Sequence, residues 1–301
     1  MSGGQRPRAR AVWLFLGLAL LAAASIGFWW FTAPSPREGT LARIEREGVI
    51  RVGYAVEAPY AFLDARGELT GEEVEVARMV VKNLAIPRIE WRQTEFGSLI
   101  PQLEEGRFDA IVAGMYITPE RARRVKFSEP TFRVREALLV RTGNPHRLHA
   151  YEDVRKDTRL KIAAVDGSIE ESMILGAGVP EAQILIVPDA LTGRVAVESG
   201  LAAGLALSSP AIHFMARQNA LGLTEVAEPF EQRGPTGRGR ESFGAVAFRT
   251  GDGDLCGAWN RQLKAIVGSE AHRRLMAQFG FTKGELPSGA TSAEILSSGA
   301  R

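Results

Sequence analysis

Three aromatic residues in this sequence fall where an apolar run gives way to a turn. Glu57-Ala58-Pro59-Tyr60 follows the run Val49-Ile50-Arg51-Val52-Gly53-Tyr54. Glu95-Phe96-Gly97-Ser98 follows residues 89–94, and Gly114-Met115-Tyr116-Ile117-Thr118-Pro119-Glu120-Arg121 follows Ala110-Ile111-Val112-Ala113. Tyr60, Phe96 and Tyr116 stand beside Pro or Gly and not inside an apolar face, so simple core packing explains them poorly. Ring faces attract a cation. Glu57 adds a carboxylate to neutralise it, and Arg121 adds a planar fork of donors that matches a carboxylate with two parallel hydrogen bonds. A pocket holding both charges implies a small zwitterionic ligand. The plainer alternative is a core aromatic set beside a solvated arginine.

Thr118-Pro119-Glu120 has the composition of a helix start: a cap, a proline at the first position and an acid in the first turn. Free N–H groups there would offer an anion site. A second helix start is predicted at Gly167-Ser168-Ile169-Glu170, meeting the ligand's anion from the opposite side. No nucleophile–base constellation appears, so no catalytic residue is assigned.

These turns need a scaffold. The predicted strands are 49–54, 89–94, 110–113, 134–141, 160–165, 184–187, 205–207 and 243–248. Predicted helices are 41–47, 74–84, 98–105, 169 onward, 189–199, 208 onward, 254–267 and 269–279. Phe62-Leu63 and Glu68-Leu69 flank Asp64-Ala65-Arg66-Gly67 as a hairpin. Strands alternating with helices give an α/β protein with parallel sheets, and in open sheets of that kind ligands bind beyond the carboxyl ends of the strands. The tail after Pro287 is polar and reads as frayed.

The 301 residues are 45% hydrophobic and 24% charged, with a formal net charge of +2. Arg6, Arg8 and Arg10 carry that excess, and the remainder is close to neutral, which argues against nucleic acid as a partner. Cys256 is the one cysteine, so an intrachain disulfide and a paired-cysteine zinc site are both excluded. It sits in a helical pattern and reads as an inert thiol. The four histidines lack metal-ligand spacing, and no cofactor or metal is expected.

Residues 11–33 are uncharged and long enough to span a bilayer, with arginines before them and Trp29-Trp30 at the far end. Residues 1–36 therefore read as an uncleaved membrane anchor or a cleaved signal segment plus a Pro34/Pro36 linker. Either places the globular part outside the cytoplasm.

The order GYAVEAPYAF, GELTGEE, FGSLIPQLEEGRFDAIVAGMYITPERARRVKFSEPTF, a second α/β unit and FGAVAFR resembles family 3 of the bacterial solute-binding proteins, the receptors of polar amino-acid ABC importers. The resemblance implies a periplasmic-binding-protein-like type II fold: two α/β lobes, a ligand cleft and two crossing hinge strands. It implies lobe 1 at 37–136 plus 243–301, lobe 2 at 137–242, and hinges at Ala137-Leu138-Leu139 and Gly244-Ala245-Val246. The expected function is a monomeric, non-catalytic receptor that hands a solute to permease subunits. Within the family the narrower likeness is to ectoine- and hydroxyectoine-binding receptors, carried by EAPYAF, TEFGSLIP, AGMYITPERA, SEPTF, GNPHRLHAYEDV and FGFTKGELP. That implies ligand contacts at Glu57, Tyr60, Phe96, Tyr116, Thr118 and Arg121, with Gly167, Ser168, Ile169 and Glu170 from lobe 2. The family's lobe 2 acid for a primary ammonium is missing from Gly200-Leu201-Ala202-Ala203-Gly204-Leu205-Ala206-Leu207-Ser208-Ser209, which suits a delocalised amidinium such as ectoine's. Alternatives are a polar amino-acid receptor, a tethered sensor, and a lyase on the same fold using Glu57.

Overall fold

The computed structural model describes residues 39–232 and 241–298. The predicted anchor and most of the Gly/Arg-rich stretch lie outside the described residues. Among the described residues no helix is long and apolar enough to cross a membrane.

Helix α1 (Thr40–Glu47) stops at Gly48, whose φ of 67° lets its N–H reach the Ile44 carbonyl at 2.8 Å. Strand β1 (Val49–Tyr54), the hairpin β2 (Phe62–Leu63) and β3 (Leu69–Thr70), α2 (Glu72–Asn83), β4 (Arg88–Gln93), α3 (Leu99–Glu104), β5 (Ala110–Ile111) and β6 (Val125–Phe127) follow. The chain then leaves through β7 (Phe132–Val134) and β8 (Glu136–Arg141). A second set comprises β9 (Ile162–Val165), α4 (Ile169–Gly176), β10 (Ile184–Val187), α5 (Ala190–Glu198), β11 (Gly204–Ser208), α6 (Ser209–Arg217) and β12 (Thr224–Val226). It returns through β13 (Ser242–Gly244) to β14 (Ala247–Arg249), α7 (Gly253–Ile266), α8 (Glu270–Gln278) and α9 (Ser292–Ser298).

Two five-stranded sheets result, ordered β4-β1-β5-β14-β6 and β10-β9-β11-β8-β12. They are mixed, not purely parallel: β14 runs against β5 and β6, and β8 runs against β11 and β12. The reason is topological. Strands β14 and β8 are the ones that enter each sheet from the other lobe, so they arrive at the end where the parallel strands finish. Between the sheets β7 and β13 pair antiparallel, Gly244 opposite Phe132. A side chain at Gly244 would collide with the Phe132 ring, so the two crossing segments lie closer than any other residue permits.

The first sheet is covered on one face by Ile44, Val74, Val80 and Trp259 and on the other by Leu99, Leu103, Phe108 and Met115. The second packs Val197, Leu205 and Ile212 on one side and Leu138, Tyr151 and Ile174 on the other. Up to Ser298, where the described residues end, the tail is not frayed. Ser292 N–H donates to Glu129 Oε2 at 2.9 Å, and Ile295 and Leu296 pack on the first lobe's core. Cys256 is buried, its Sγ 3.4 Å from the Phe127 carbonyl, and burial pushes its thiol up to about 11.

At the amino end of the first sheet Asp109 is fully buried. Its carboxylate accepts from Arg43 Nη2 at 2.6 Å, Arg51 Nη2 at 2.7 Å and Arg249 Nη2 at 3.3 Å. Burial alone would raise its pKa. The hydrogen bonds from Arg51 and Arg43 overcome that and hold it below its ordinary value.

Candidate functional site

The turn after β1 is clamped by its backbone. Glu57 N–H donates to the Ala61 carbonyl at 2.8 Å, and Tyr60 N–H donates to Glu57 O at 2.9 Å. Helix α2 begins against it: Glu72 N–H donates to Pro59 O and Val74 N–H to Tyr60 O. Gly71, at φ 136°, precedes α2, where a side chain would collide with the Tyr60 carbonyl. Tyr60 is consequently fixed. Its ring packs 4.9 Å from Phe132 and 5.7 Å from Phe281, and its hydroxyl donates to Ser208 Oγ at 2.8 Å. It joins the first lobe to the end of β11 in the second. Ser208, where the sequence predicts a helix to open, also caps α6 by accepting the Ala211 N–H at 3.3 Å.

The segment after β5 corrects one expectation. The predicted helix from Thr118 is a single 3-10 turn, Arg121–Arg123. Thr118 Oγ1 does accept the Arg121 N–H at 3.1 Å, but Val125 already belongs to β6, leaving no room for a helix. No helix N-terminus is available here for an anion, and the side chain of Arg121 is what remains. Its Nη1 donates to the Tyr116 carbonyl and its Nη2 to the Gly167 carbonyl, both at 3.0 Å. The guanidinium lies 5.4 Å from the Phe96 ring centroid. Burial lowers its pKa, and Glu170, Tyr116 and Glu120 oppose that. Tyr116 is buried and bridges to Gly244 on the crossing pair. The turn carrying it is held by Glu73, whose Oε2 accepts the Gly114 N–H at 2.8 Å.

From the second lobe comes the start of α4. Ser168 caps it, accepting the Glu171 N–H at 3.4 Å, and Gly167 takes φ 69°. A first side-chain carbon on Gly167 would lie 3.1 Å from Gly97 Cα, and one on Gly97 would collide with the Asp166 carboxylate. The two lobes touch here glycine to glycine. Glu170 is 4% exposed. Burial, then the charge of Glu136, pushes it up to about 7 against the opposing pull of its own amide, Arg121 and Ser168. Burial, then the charge of Glu170, pushes Glu57 up to about 8.

The ten residues anticipated from sequence therefore divide. Phe96, Thr118, Arg121, Gly167, Ser168 and Ile169 line an inter-lobe cavity of about 870 Å³. Glu57, Tyr60, Tyr116 and Glu170 are absent from that lining. Charge coupling ties Glu57, Tyr60 and Tyr116 to Glu170, and Glu170 to Arg121. Met115, Met173 and Gln232 also line the cavity and carried no signal of their own in the sequence. Among the described residues no group of three or more His, Cys, Asp or Glu side chains could hold a metal ion.

Comparison with known proteins fits this geometry. The family described as bacterial extracellular solute-binding proteins, family 3, matches residues 50–282. The probable amino-acid ABC transporter periplasmic-binding protein y4tE of Sinorhizobium fredii is 34% identical over 244 residues, 80% of each chain. The glutamine-binding protein GlnH of Bacillus subtilis is 28% identical over 210 residues, 68% of this chain and 75% of that protein. Among solved structures, EhuB in complex with hydroxyectoine superposes with a TM-score of 0.78 at 29% identity, covering 85% of this chain and 97% of that one. An ancestral amino acid-binding protein, AncCDT-1, described as a precursor of cyclohexadienyl dehydratase, gives 0.69 at 26% identity, covering 80% and 99%.

Proposed function

We propose, from the premise that the chain belongs to the bacterial extracellular solute-binding proteins of family 3, that its cleft receives ectoine or hydroxyectoine. At the coarser level it is the solute-binding component of an ABC importer, and the importer's permease subunits are its partners. The observation that carries the finer reading is the setting of Arg121. One guanidinium is held between the Tyr116 carbonyl of one lobe and the Gly167 carbonyl of the other, against the Phe96 ring, with buried Glu170 coupled to it. Anionic and cationic recognition thus meet in one cleft, as a zwitterion requires. Ectoine joins a carboxylate to a cyclic amidinium. Strand β11 offers that cation no acid: its last residue is Ser208, already engaged by Tyr60. A weakly hydrated, delocalised cation depends less on such a partner than a primary ammonium does.

In this reading the lobes, 37–136 with 243–301 and 137–242, close on the solute without transforming it. The protein works as a monomer outside the cytoplasm, delivered or tethered by residues 1–36. Titration calorimetry of the protein with ectoine, hydroxyectoine and a panel of polar and cationic amino acids tests it. Micromolar or tighter binding of an ectoine, with amino acids silent, is the expected result. A second reading, a polar amino-acid receptor, draws on the S. fredii relative. Heat from an amino acid and none from ectoine selects it and discards the first.

A further inference from the structure

We infer that Glu73 is a positioning residue for the cleft: from behind the cavity wall its carboxyl sets Arg121 through the turn Gly114-Met115-Tyr116. The inference rests on the proposed reading of the cleft as a solute site with Arg121 as its anion contact, and adds a residue that lies outside the cavity lining.

Glu73 is the second residue of α2, and α2 is pinned to the turn after β1. Glu72 N–H donates to the Pro59 carbonyl at 2.8 Å and Val74 N–H to the Tyr60 carbonyl at 3.4 Å. From that fixed base the Glu73 side chain crosses to the turn after β5. Its Oε2 accepts the Gly114 N–H at 2.8 Å, and the Ala113 amide also faces the carboxyl. One side chain thus fixes the spacing of two turns. Gly114 takes φ 66°, and a side chain there would meet the Tyr60 ring at 2.9 Å, so the turn has no bulk of its own to brace it. On its far side the returning chain holds it: Ala245 N–H donates to the Met115 carbonyl at 3.0 Å and Ile117 N–H to the Phe243 carbonyl at 2.8 Å. Between these two holds Met115 lines the cavity, and the Tyr116 carbonyl accepts Arg121 Nη1 at 3.0 Å. Moving the Gly114 end moves the carbonyl on which the guanidinium rests.

The surroundings of the carboxyl decide its form. Glu73 is 1% exposed, and among the described residues its Oε1 has no hydrogen-bond partner and no cation pairs with it. Its ionisable neighbour Glu72 is buried too and faces the His272 ring of α8 across 3.5 Å. A buried carboxylate without a counter-charge takes up a proton and does not stay ionised. Burial, then the charge of Glu72, accordingly pushes Glu73 up to about 8, against the pull of the Gly114 and Ala113 amides. The group that holds Gly114 is a neutral acid offering one oxygen to an N–H. Glutamine has the same length and offers the same acceptor. Leucine fills the space without one, which strands the Gly114 N–H and lets the turn shift to find another partner.

Titration calorimetry of the full chain with ectoine, hydroxyectoine, arginine and glutamine supplies the affinity. For whichever of these binds, Glu73→Leu should weaken binding about tenfold or more, and Glu73→Gln should restore it to within about twofold. In an Arg121→Ala background Glu73→Leu should cost less than about twofold, because its effect passes through the guanidinium and the two losses do not add. Glu73→Asp, one methylene short of Gly114, should weaken binding about threefold and tests the same bond where the Leu variant does not fold. Unchanged affinity in both Glu73→Leu and Glu73→Asp, an equal loss in Glu73→Leu and Glu73→Gln, or the same loss with and without Arg121 overturns the inference. If none of the four solutes gives heat, the solute reading falls and nuclear magnetic resonance of the 15N-arginine-labelled protein decides this one. The Arg121 guanidinium signal, identified by its loss in Arg121→Ala, should move in Glu73→Leu and return in Glu73→Gln; a signal that stays in place in Glu73→Leu overturns the inference.

Discussion

The two ends of the first sheet treat buried charge in opposite ways. At the amino end one carboxylate, Asp109, sits among three guanidinium groups and is held ionised. At the carboxyl end one guanidinium, Arg121, answers the buried acid Glu170, while Glu57 and Glu170 are pushed toward neutrality. The first arrangement is complete: both carboxylate oxygens of Asp109 accept hydrogen bonds from within the chain. The second is in deficit, and a buried charge without a counter-charge is tolerated mainly where something else supplies it. The same residue types at the two ends of one set of strands are therefore set differently, one group fastening α1, β1 and β14 together and the other, in the proposed reading, meeting a solute.

That contrast can be broken or sharpened by substitution. Asp109→Asn strands three cations and should destabilise the fold by about 3–5 kcal/mol, as loss of one partner from a buried ion pair does. Chemical denaturation measures it, and solute affinity should stay within twofold; a large affinity loss with unchanged stability would erase the distinction. Arg121→Ala should do the converse, weakening solute binding at least ~100-fold, about 2.7 kcal/mol, with little change in melting temperature. Glu57→Gln comes next. It should cost about tenfold in affinity, roughly 1.4 kcal/mol, yet raise the denaturation midpoint at pH 8 because a disfavoured charge is gone. Gly97→Ala should have the smallest effect, about threefold weaker binding, or under 1 kcal/mol, since the Asp166 carboxylate can swing aside.

The pH dependence separates the ends as well. Asp109 has a lowered pKa, so it contributes stability above its unfolded value of 3.8, and that contribution is lost as pH falls through the lower folded value. Glu57 and Glu170 are raised from 4.5 to about 8 and about 7, so the folded protein keeps protons that the unfolded chain releases. Ligand-free stability should fall as pH climbs from 4.5 to about 8 and level off above. Glu73, raised to about 8 by burial and by Glu72, adds to the same slope. In Glu57→Gln/Glu170→Gln the decline should shrink but persist, and solute added at saturation should flatten it. An unchanged slope in the double variant would show that the cleft acids keep their charge.

Much of this was legible in the residues. Apolar-rich runs gave β1 and β10 to the residue, and the helices expected from residues 189 and 269 do start there, with Asp189 and Ser269 as their caps. Runs 134–141 and 243–248 were read as single strands where the protein has two each. The apolar pattern is continuous there, but the hydrogen-bonding partner changes between the crossing pair and a sheet. The helix at Thr118 failed because local capping chemistry was outvoted by β6, which begins at once. Within the site, Arg121, Phe96 and the aromatic turns could be named because each stands next to its own strand end. The Tyr60–Ser208 hydrogen bond could not, since it depends on how one lobe is set against the other.

The crossing pair carries a mechanical consequence. Two segments bonded side by side, with Gly244 pressed under Phe132, behave as a hinge pin and not as a ball joint. Motion of one lobe against the other is then confined to rotation about a single line, and each contact in the cleft travels an arc set by its lever arm. Tyr60 lies against Phe132 and Tyr116 against Gly244, so they scarcely move. Contacts farther from the pin, at the rim of the cleft, sweep the longer arcs, and the shape of the inner wall is set before any solute arrives.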